Sequence, residues 1–134
     1  FHLTQWLLEE GFIVHGYDGL TDYYDVSLKE ARLDILSGYK NFSLTHAMLE
    51  DREKLFETIN SFSPELVVHL AAQAGVRYSL ENPHAYIQSN IVGTMNLLEV
   101  VRLNKVSHLL LASTSSVYGA NIEMPFDESQ RTDT

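Results

Sequence analysis

"ELVVHLAA", residues 65–72, decides the fold class of this chain, because it is a short apolar run that begins directly after Pro64. Such a run predicts a buried strand. Helical periodicity follows over residues 85–104, and the next apolar run, "HLLLAST" at 108–114, predicts another buried strand. A buried strand, a helix and a second buried strand predict a βαβ unit within a parallel sheet.

The same alternation covers the earlier part of the sequence. "FIVHGYD" at 12–18 and "NFSLTHAM" at 41–48 predict two more strands, and helices are predicted over 2–10, 25–38 and 50–62. We therefore expect one α/β domain, residues 1–134, with a doubly wound parallel sheet covered by helices on both faces. The residues predicted to form core-facing stripes are Leu3, Trp6 and Leu7 in the first helix and Ile87, Ile91, Leu98 and Val101 in the last.

The composition argues against several classes of function. The chain has 134 residues, of which 45% are hydrophobic, enough to bury a core. A net charge of −9 with scattered basic residues predicts no nucleic-acid partner. No apolar run is long enough to span a bilayer, and Glu9 and Glu10 are unlike a signal peptide, so we expect a cytoplasmic protein without a membrane partner. There is no cysteine, and the histidines lack metal-ligand spacing, so we expect neither disulfides nor a metal site.

The residues that follow the strands are the candidates for ligand binding, because ligands of such sheets bind at the carboxyl ends of the strands. Asp18 stands at one of these ends, where a carboxylate either accepts the hydroxyls of an adenosine ribose or caps a turn. The small residues of "AAQAG", 71–75, either let a cofactor approach the backbone or permit tight helix packing. Residues 113–116, "STSS", form either a hydroxyl-rich site or a serine-rich turn. Spacing alone leaves these alternatives open.

Two long segments carry a resemblance to a known family. "HLAAQAGVRYSLENPHAYIQSNIVGTMNLLE" at 69–99 and "LLLASTSSVYG" at 109–119 resemble the nucleotide-sugar epimerase and dehydratase branch of the extended short-chain dehydrogenase/reductase family. With "YDGLTDYYDVSLKEARL" at 17–33, the chain is similar more narrowly to the UDP-glucuronate 4-epimerases. The resemblance covers essentially the whole chain. It implies an NAD-binding Rossmann domain, a smaller C-terminal substrate domain, NAD as the cofactor and a UDP-sugar as the substrate.

The resemblance also implies a role for each matching position. Thr114 is implied to be catalytic, since its hydroxyl would bond O4 of the sugar and share the proton removed there. Ser115 and Ser116 would donate to the sugar carboxylate, and Arg77 would bind pyrophosphate or substrate unless it is a solvated surface arginine. Asp18 would bind the adenosine ribose and favour NAD over NADP, because a carboxylate repels a 2′-phosphate. The other implied cofactor-binding residues are Leu70, Ala71, Ala72, Gln73, Asn90 and Ser113.

The chain departs from the family pattern at two positions. Met48 stands where the family typically has an aspartate that meets the adenine amino group, and a thioether cannot replace that acceptor. Gly19 stands where relatives usually carry asparagine beside the ribose. We therefore expect adenine recognition to be weakened or rearranged. Tyr118 is expected to pack rather than to react.

The resemblance further implies that the chain is an internal piece of a longer enzyme. Phe1 would follow the glycine-rich phosphate loop directly, so that loop with its strand, the Tyr-xxx-Lys pair and the substrate domain would lie outside residues 1–134. In the usual strand order of such sheets, 3-2-1-4-5, the strand outside residues 1–134 is strand 1, which lies between the strands at 12–18 and 65–72. Each of these two strands is therefore left with an unpaired edge. We expect this truncated Rossmann-like domain to be poorly stable and catalytically silent alone, and the full-length protein to form a homodimer through the helix at 85–101.

Three interpretations of function remain at this point. The first is part of a UDP-glucuronate 4-epimerase. The second is another sugar-nucleotide dehydratase, decarboxylase or epimerase, although a dehydratase would typically show an acidic pair where Ser115 and Ser116 follow Thr114. The third is a non-catalytic nucleotide-binding or oligomerisation module, which Met48 and Gly19 support.

Overall fold

The computed structural model describes residues 1–132 and alternates short strands with helices along the chain. In chain order, the elements are α1 (His2–Glu9), β1 (Val14–Asp18), α2 (Val26–Ser37), β2 (Phe42–His46), α3 (Arg52–Phe62), β3 (Leu66–His69), α4 (Tyr78–Glu81), α5 (Pro83–Tyr86), a π-helical turn (Ile87–Gly93), α6 (Thr94–Asn104), β4 (His108–Leu111) and a 3₁₀ turn (Ser115–Tyr118). The predicted order of strands and long helices is confirmed. Every strand is shorter than predicted, and the short helix α4 lies between the predicted strand at 65–72 and the predicted helix at 85–104.

Aspartate caps fix where two of the helices begin. Asp25 Oδ1 accepts a hydrogen bond from the backbone N–H of Ser27 at 2.9 Å, and Asp51 Oδ1 accepts one from Lys54 at 3.0 Å. Such caps satisfy N–H groups that have no partner within the helix. Because α2 and α3 start shortly after β1 and β2, the caps also limit the length of the loops at the carboxyl ends of these strands.

The strands form two separate parallel pairs. β1 pairs with β2 from Val14 opposite Phe42 to Asp18 opposite His46. β3 pairs with β4 over four residues, beginning with Leu66 opposite His108. Among residues 1–132, β1 and β3 pair with no strand other than these partners, so each has one edge without a ladder. This arrangement agrees with the two unpaired edges expected from the sequence.

The core lies between α3 and α6 and is small. Leu55, Leu97 and Val100 are buried in contact with one another, and Tyr17 and Val67 of the two sheets pack against them. The accessible surface is 9590 Å², whereas a monomer of this mass typically exposes about 7,100 Å². The β3–β4 pair is covered only in part by the described helices: Val67 and Leu109 pack against the core, whereas Leu66, Leu110 and Leu111 are about half exposed.

The predicted core-facing stripe of the long helix is correct only at Val101, which packs against the core. Ile91 is 63% exposed and Leu98 is 47% exposed, whereas Gly93, Leu97 and Val100 are buried. The buried side of α6 also carries the polar Asn96, whose Nδ2 donates to the carbonyl of Leu49 at 3.1 Å, so apolar spacing did not select this side. Gly93 is required at this point, since a Cβ there would lie 2.6 Å from the Cβ of Leu49.

The predicted stripe of α1 is displaced as well. Leu8 is the buried residue of α1, whereas Leu3 and Trp6 of the predicted stripe are exposed.

None of the helices found in residues 1–132 combines the length and the apolar character needed to cross a membrane.

Candidate functional site

A cleft of about 470 Å³ lies at the carboxyl ends of β1, β2 and β3. Residues at and beyond the strand ends line it, namely Asp18 as the last residue of β1, Met48 after β2 and residues 70–74 after β3. The cleft therefore joins segments from the two separate strand pairs, as expected for a ligand site of a parallel sheet.

Asp18 is held by its own turn and still presents carboxylate oxygen to the cleft. Its Oδ1 accepts a hydrogen bond from the backbone N–H of Leu20 at 2.7 Å, and Leu20 has the left-handed φ of 45°. Its carbonyl accepts one from the N–H of Ala47 at 3.1 Å. No group among the described residues bonds Oδ2. Both sequence interpretations of Asp18 are thus compatible: it fixes a turn, and one oxygen remains available to a ligand.

Asn90 fixes the loop that follows β3. Its Oδ1 accepts from the backbone N–H of Gln73 at 2.7 Å, and its Nδ2 donates to the carbonyl of Gln73 at 3.0 Å. The hydroxyl of Tyr86 donates to the carbonyl of Ala74 at 2.9 Å. Asn90 lies in the π-helical turn, a feature that is frequent at functional sites because it redirects side chains. The predicted residues Leu70, Ala71, Ala72 and Gln73 line the cleft, and Asn90 orders their backbone from outside it.

Met48 and Gly19 both line the cleft and are in direct contact with each other. A Cβ built on Gly19 would overlap the Sδ of Met48. The Met48 carbonyl accepts a hydrogen bond from the Tyr17 hydroxyl at 3.2 Å. Burial of Tyr17, assisted by the nearby carboxylates of Asp51 and Glu50, raises the pKa of its hydroxyl to about 12. Tyr17 therefore stays a neutral donor that holds the backbone of Met48.

The segment between β1 and α2 adds lining residues that the sequence analysis did not single out. Lys29 Nζ donates to the carbonyl of Thr21 at 2.6 Å and lies 4.4 Å from the ring centre of Tyr24. Tyr23 packs on Tyr78 with 4.9 Å between ring centres. These contacts bring an ammonium group and two aromatic rings to the cleft. The periodicity gave no signal for them, because a lysine within a predicted helix such as Lys29 has the pattern of a solvated side chain.

The hydroxyl run after β4 is exposed and lies outside the cleft lining. Ser113, Thr114, Ser115 and Ser116 are all exposed, and the Thr114 Oγ1 accepts from the backbone N–H of Ser116 at 3.2 Å. Ala112 donates its N–H to the carbonyl of His69 at 3.0 Å, which keeps the start of this run beside the end of β3. The structure therefore brings the proposed cofactor residues of β1 and β3 together, whereas Ser113 and the proposed catalytic and substrate residues stand at the neighbouring strand end.

Arg77 and Tyr118 are the two remaining residues for which the sequence predicted a role. Arg77 is exposed at the start of α4; its carbonyl accepts from the N–H of Leu80 at 3.1 Å, and its guanidinium makes no hydrogen bond or ion pair with the described residues. Tyr118 stacks on Phe126 with 4.6 Å between ring centres and 11° between ring planes, which matches the expected packing role.

A second, smaller cavity of about 310 Å³ lies between the β1–β2 pair and α3. His15 lies here, 2.7 Å from the Ser43 Oγ and 2.9 Å from the Thr45 Oγ1, and packs on Phe62. Burial lowers the pKa of His15. The cavity is away from the strand ends, and these contacts are those of a satisfied, partly buried histidine.

The chain matches known proteins over its whole length. The family model described as GDP-mannose 4,6 dehydratase matches residues 1–134. The "Probable UDP-glucuronate 4-epimerase" of Rhizobium meliloti (strain 1021) is 53% identical over 133 residues, which are 99% of this chain and 39% of that protein. The UDP-glucuronate 4-epimerase of Thermodesulfobacterium geofontis (strain OPF15) is 46% identical over 134 residues, which are 100% of this chain and 41% of that protein.

A solved structure has the same fold. The UDP-glucose-4-epimerase from Stenotrophomonas maltophila, with bound NAD and formylated UDP-arabinopyranose, superimposes with a TM-score of 0.80 at 28% identity. The match covers 97% of this chain and 38% of that one. The chain thus spans about 40% of the length of the relatives that it matches.

Proposed function

Because this chain belongs to the NAD-dependent epimerase/dehydratase family, we propose that the full-length protein containing it is a UDP-glucuronate 4-epimerase that uses NAD. One observation carries the proposal: Asp18 and residues 70–73, positions assigned to the cofactor by resemblance, line one cleft at the strand ends. The identity of 53% to the Rhizobium protein supports UDP-glucuronate as the substrate.

The cleft suits a dinucleotide. The free oxygen of Asp18 would accept the hydroxyls of the adenosine ribose, and the small residues at 70–73 would let the pyrophosphate and nicotinamide half approach the backbone closely. Met48 adds apolar surface, and Lys29 adds a positive charge. These residues would hold NAD, which when bound accepts a hydride from C4 of the sugar and returns it.

Thr114 would act on the proton at O4 of the sugar. Its Oγ1 already accepts from the backbone N–H of Ser116, and its own O–H remains available as a donor. A hydroxyl in this state can bond O4 and share the proton that leaves during oxidation. Thr114→Ala should therefore lower kcat by about 10²-fold, the scale of a lost acid–base contribution, and Thr114→Ser should restore most of it.

Ser115 and Ser116 would hold the carboxylate of the sugar. The 4-keto form of glucuronate is a β-keto acid, and it loses CO₂ when the carboxylate aligns with the π system of the ketone. Two neutral hydroxyl donors at the start of the 3₁₀ turn can fix the carboxylate against that alignment. Arg77 is exposed and unpaired within the described residues, so it would be free to meet the pyrophosphate of the substrate.

An apolar helix face supports the proposal of a homodimer. Four side chains of the π-helical turn and α6 share this face, spaced three or four residues apart, and are between 45% and 64% exposed: Ile87, Ile91, Met95 and Leu98. A contiguous exposed apolar face on a helix marks an interaction surface. We propose that it pairs with the same face of a second copy, since an isologous contact needs only one self-complementary patch.

A 4-epimerase acting on a neutral UDP-sugar is the second candidate. The observation that favours it is the likeness to a UDP-glucose-4-epimerase at a TM-score of 0.80. The serine pair distinguishes the two, because only a uronic acid offers it a carboxylate.

Proton NMR of UDP-glucuronate incubated with the full-length protein tests the proposal. We expect UDP-galacturonate to appear without UDP-pentose. Ser115→Ala combined with Ser116→Ala should release UDP-pentose, whereas Ser129→Ala, a matched change on the surface, should leave the products unchanged. Turnover of UDP-glucose but not UDP-glucuronate would establish the second candidate, and turnover of neither would refute both.

A further inference from the structure

The contact between Gly19 and Met48 couples the two positions at which this chain departs from its family. Gly19 has a φ outside the left-handed region, so its backbone does not demand glycine. The obstacle to a side chain at Gly19 is the Met48 thioether, which occupies the space of a Cβ. Glycine at this position therefore makes room for methionine at the other.

Hydrogen bonds fix the backbone at both residues of this contact. The Met48 carbonyl accepts from the Tyr17 hydroxyl at 3.2 Å and from the N–H of Asp51 at 3.0 Å. The Gly19 carbonyl lies 3.0 Å from His46 Nε2. Met48 is partly exposed and lines the cleft. Its sulfur lies against Gly19, the residue that follows Asp18, so a base attached to a ribose held by Asp18 would lie next to it.

We propose that Met48, seated over Gly19, holds the purine base of the dinucleotide by packing and does not read the substituent at purine position 6. The inference rests on the proposed function. A thioether makes favourable contacts with aromatic rings and is only a weak hydrogen-bond acceptor. Gly19 offers no side chain at all. An amino group and an oxo group at position 6 therefore meet the same apolar surface.

Binding of two dinucleotides tests the proposal directly. NAD and nicotinamide hypoxanthine dinucleotide, which carries an oxo group at position 6, would be titrated calorimetrically into full-length protein freed of nucleotide. The two Kd values should agree within about threefold, because no strong hydrogen bond separates them. Met48→Asp should create a preference for NAD of about tenfold or more, the size of one charge-assisted hydrogen bond. Met48→Leu, the apolar control, should keep the ratio of the parent protein.

Gly19→Ala gives an independent test that does not alter Met48. The added methyl group displaces the thioether, so NAD affinity should fall about threefold to tenfold, as expected for a lost sulfur–aromatic contact. The melting temperature should stay unchanged, because only the end of a flexible side chain moves. In a Met48→Ala background, the same Gly19→Ala change should have no further effect on the Kd.

The outcomes separate this inference from the proposed function. A preference of the parent protein for NAD of tenfold or more, or equal effects of Gly19→Ala in both backgrounds, would overturn the inference and leave the NAD enzyme intact. Failure of the parent protein to bind either dinucleotide would refute the proposed function and the inference together.

Discussion

Replacing Asn90 with alanine should release the loop that follows β3 and weaken cofactor binding. The side chain makes two hydrogen bonds with the peptide of Gln73, one accepted at 2.7 Å and one donated at 3.0 Å. Each such bond contributes about 1 kcal/mol, so about 2 kcal/mol of the preference for the present loop conformation would be lost. Since every 1.4 kcal/mol is a factor of ten, the Kd for NAD should rise about 10- to 30-fold.

Calorimetric titration of the full-length protein with NAD gives the Kd, and urea unfolding gives the stability of each variant. Asn104→Ala is the matched control: Asn104 also lies on the long helix, and its Nδ2 donates to the carbonyl of Val100 at 2.9 Å, away from the cleft. This control should lose about 1 kcal/mol of stability and keep the parent Kd. Equal Kd values for the two variants would refute the assignment of Asn90 as the residue that positions the loop.

Four further outcomes are expected. Leu55→Ala should lower the free energy of unfolding by about 2–5 kcal/mol, because Leu55 is 1% exposed, whereas Leu55→Met should cost under about 1.5 kcal/mol in urea titrations. Burial lowers the pKa of His15 and His69 below 6.5, so the unfolded chain binds more protons and stability should fall on acidification below pH 6.5, by at most about 1.4 kcal/mol per pH unit for each histidine. His69→Gln should flatten that slope, and an unchanged slope would contradict the assignment. Ile91→Arg should convert the proposed dimer of the full-length protein to a monomer in light scattering, and Ile91→Leu should not; a dimer in both would exclude this face. The purified polypeptide 1–134 should show no epimerisation and no cooperative thermal transition. Detectable epimerisation would contradict the expected inactivity, and a sharp transition would contradict the expected low stability.

The order of the elements and the location of the cleft follow from the sequence because they depend on coarse physical rules. Apolar runs separated by helical periodicity demand parallel strands, and parallel strands place their carboxyl ends on one edge. Asp18, Met48 and residues 70–74 therefore had to share an edge, and they line one cleft. The residue roles within the cleft came from the family resemblance and not from the periodicity.

The faces of the helices could not be predicted in the same way. The stripe of Ile91 and Leu98 follows apolar spacing, whereas the buried side of α6 includes the polar Asn96, whose amide donates to the carbonyl of Leu49 at 3.1 Å. Long-range contacts such as that of Gly19 with Met48 were equally inaccessible, because the pairing of β1 with β2 decides which residues after the strands meet. Local patterns predict elements, whereas these features depend on how the elements pack.

The π-helical turn explains why one helix can serve both the core and the cleft. At one end, Gly93 approaches Leu49 so closely that no Cβ fits, which anchors the helix beside the loop after β2. Three residues earlier, Asn90 reaches the peptide of Gln73 in the loop after β3. The wider turn separates the directions of these two positions, so the helix contacts both loops at once. The same helix leaves Ile91 and Leu98 exposed, where they are available to a second copy.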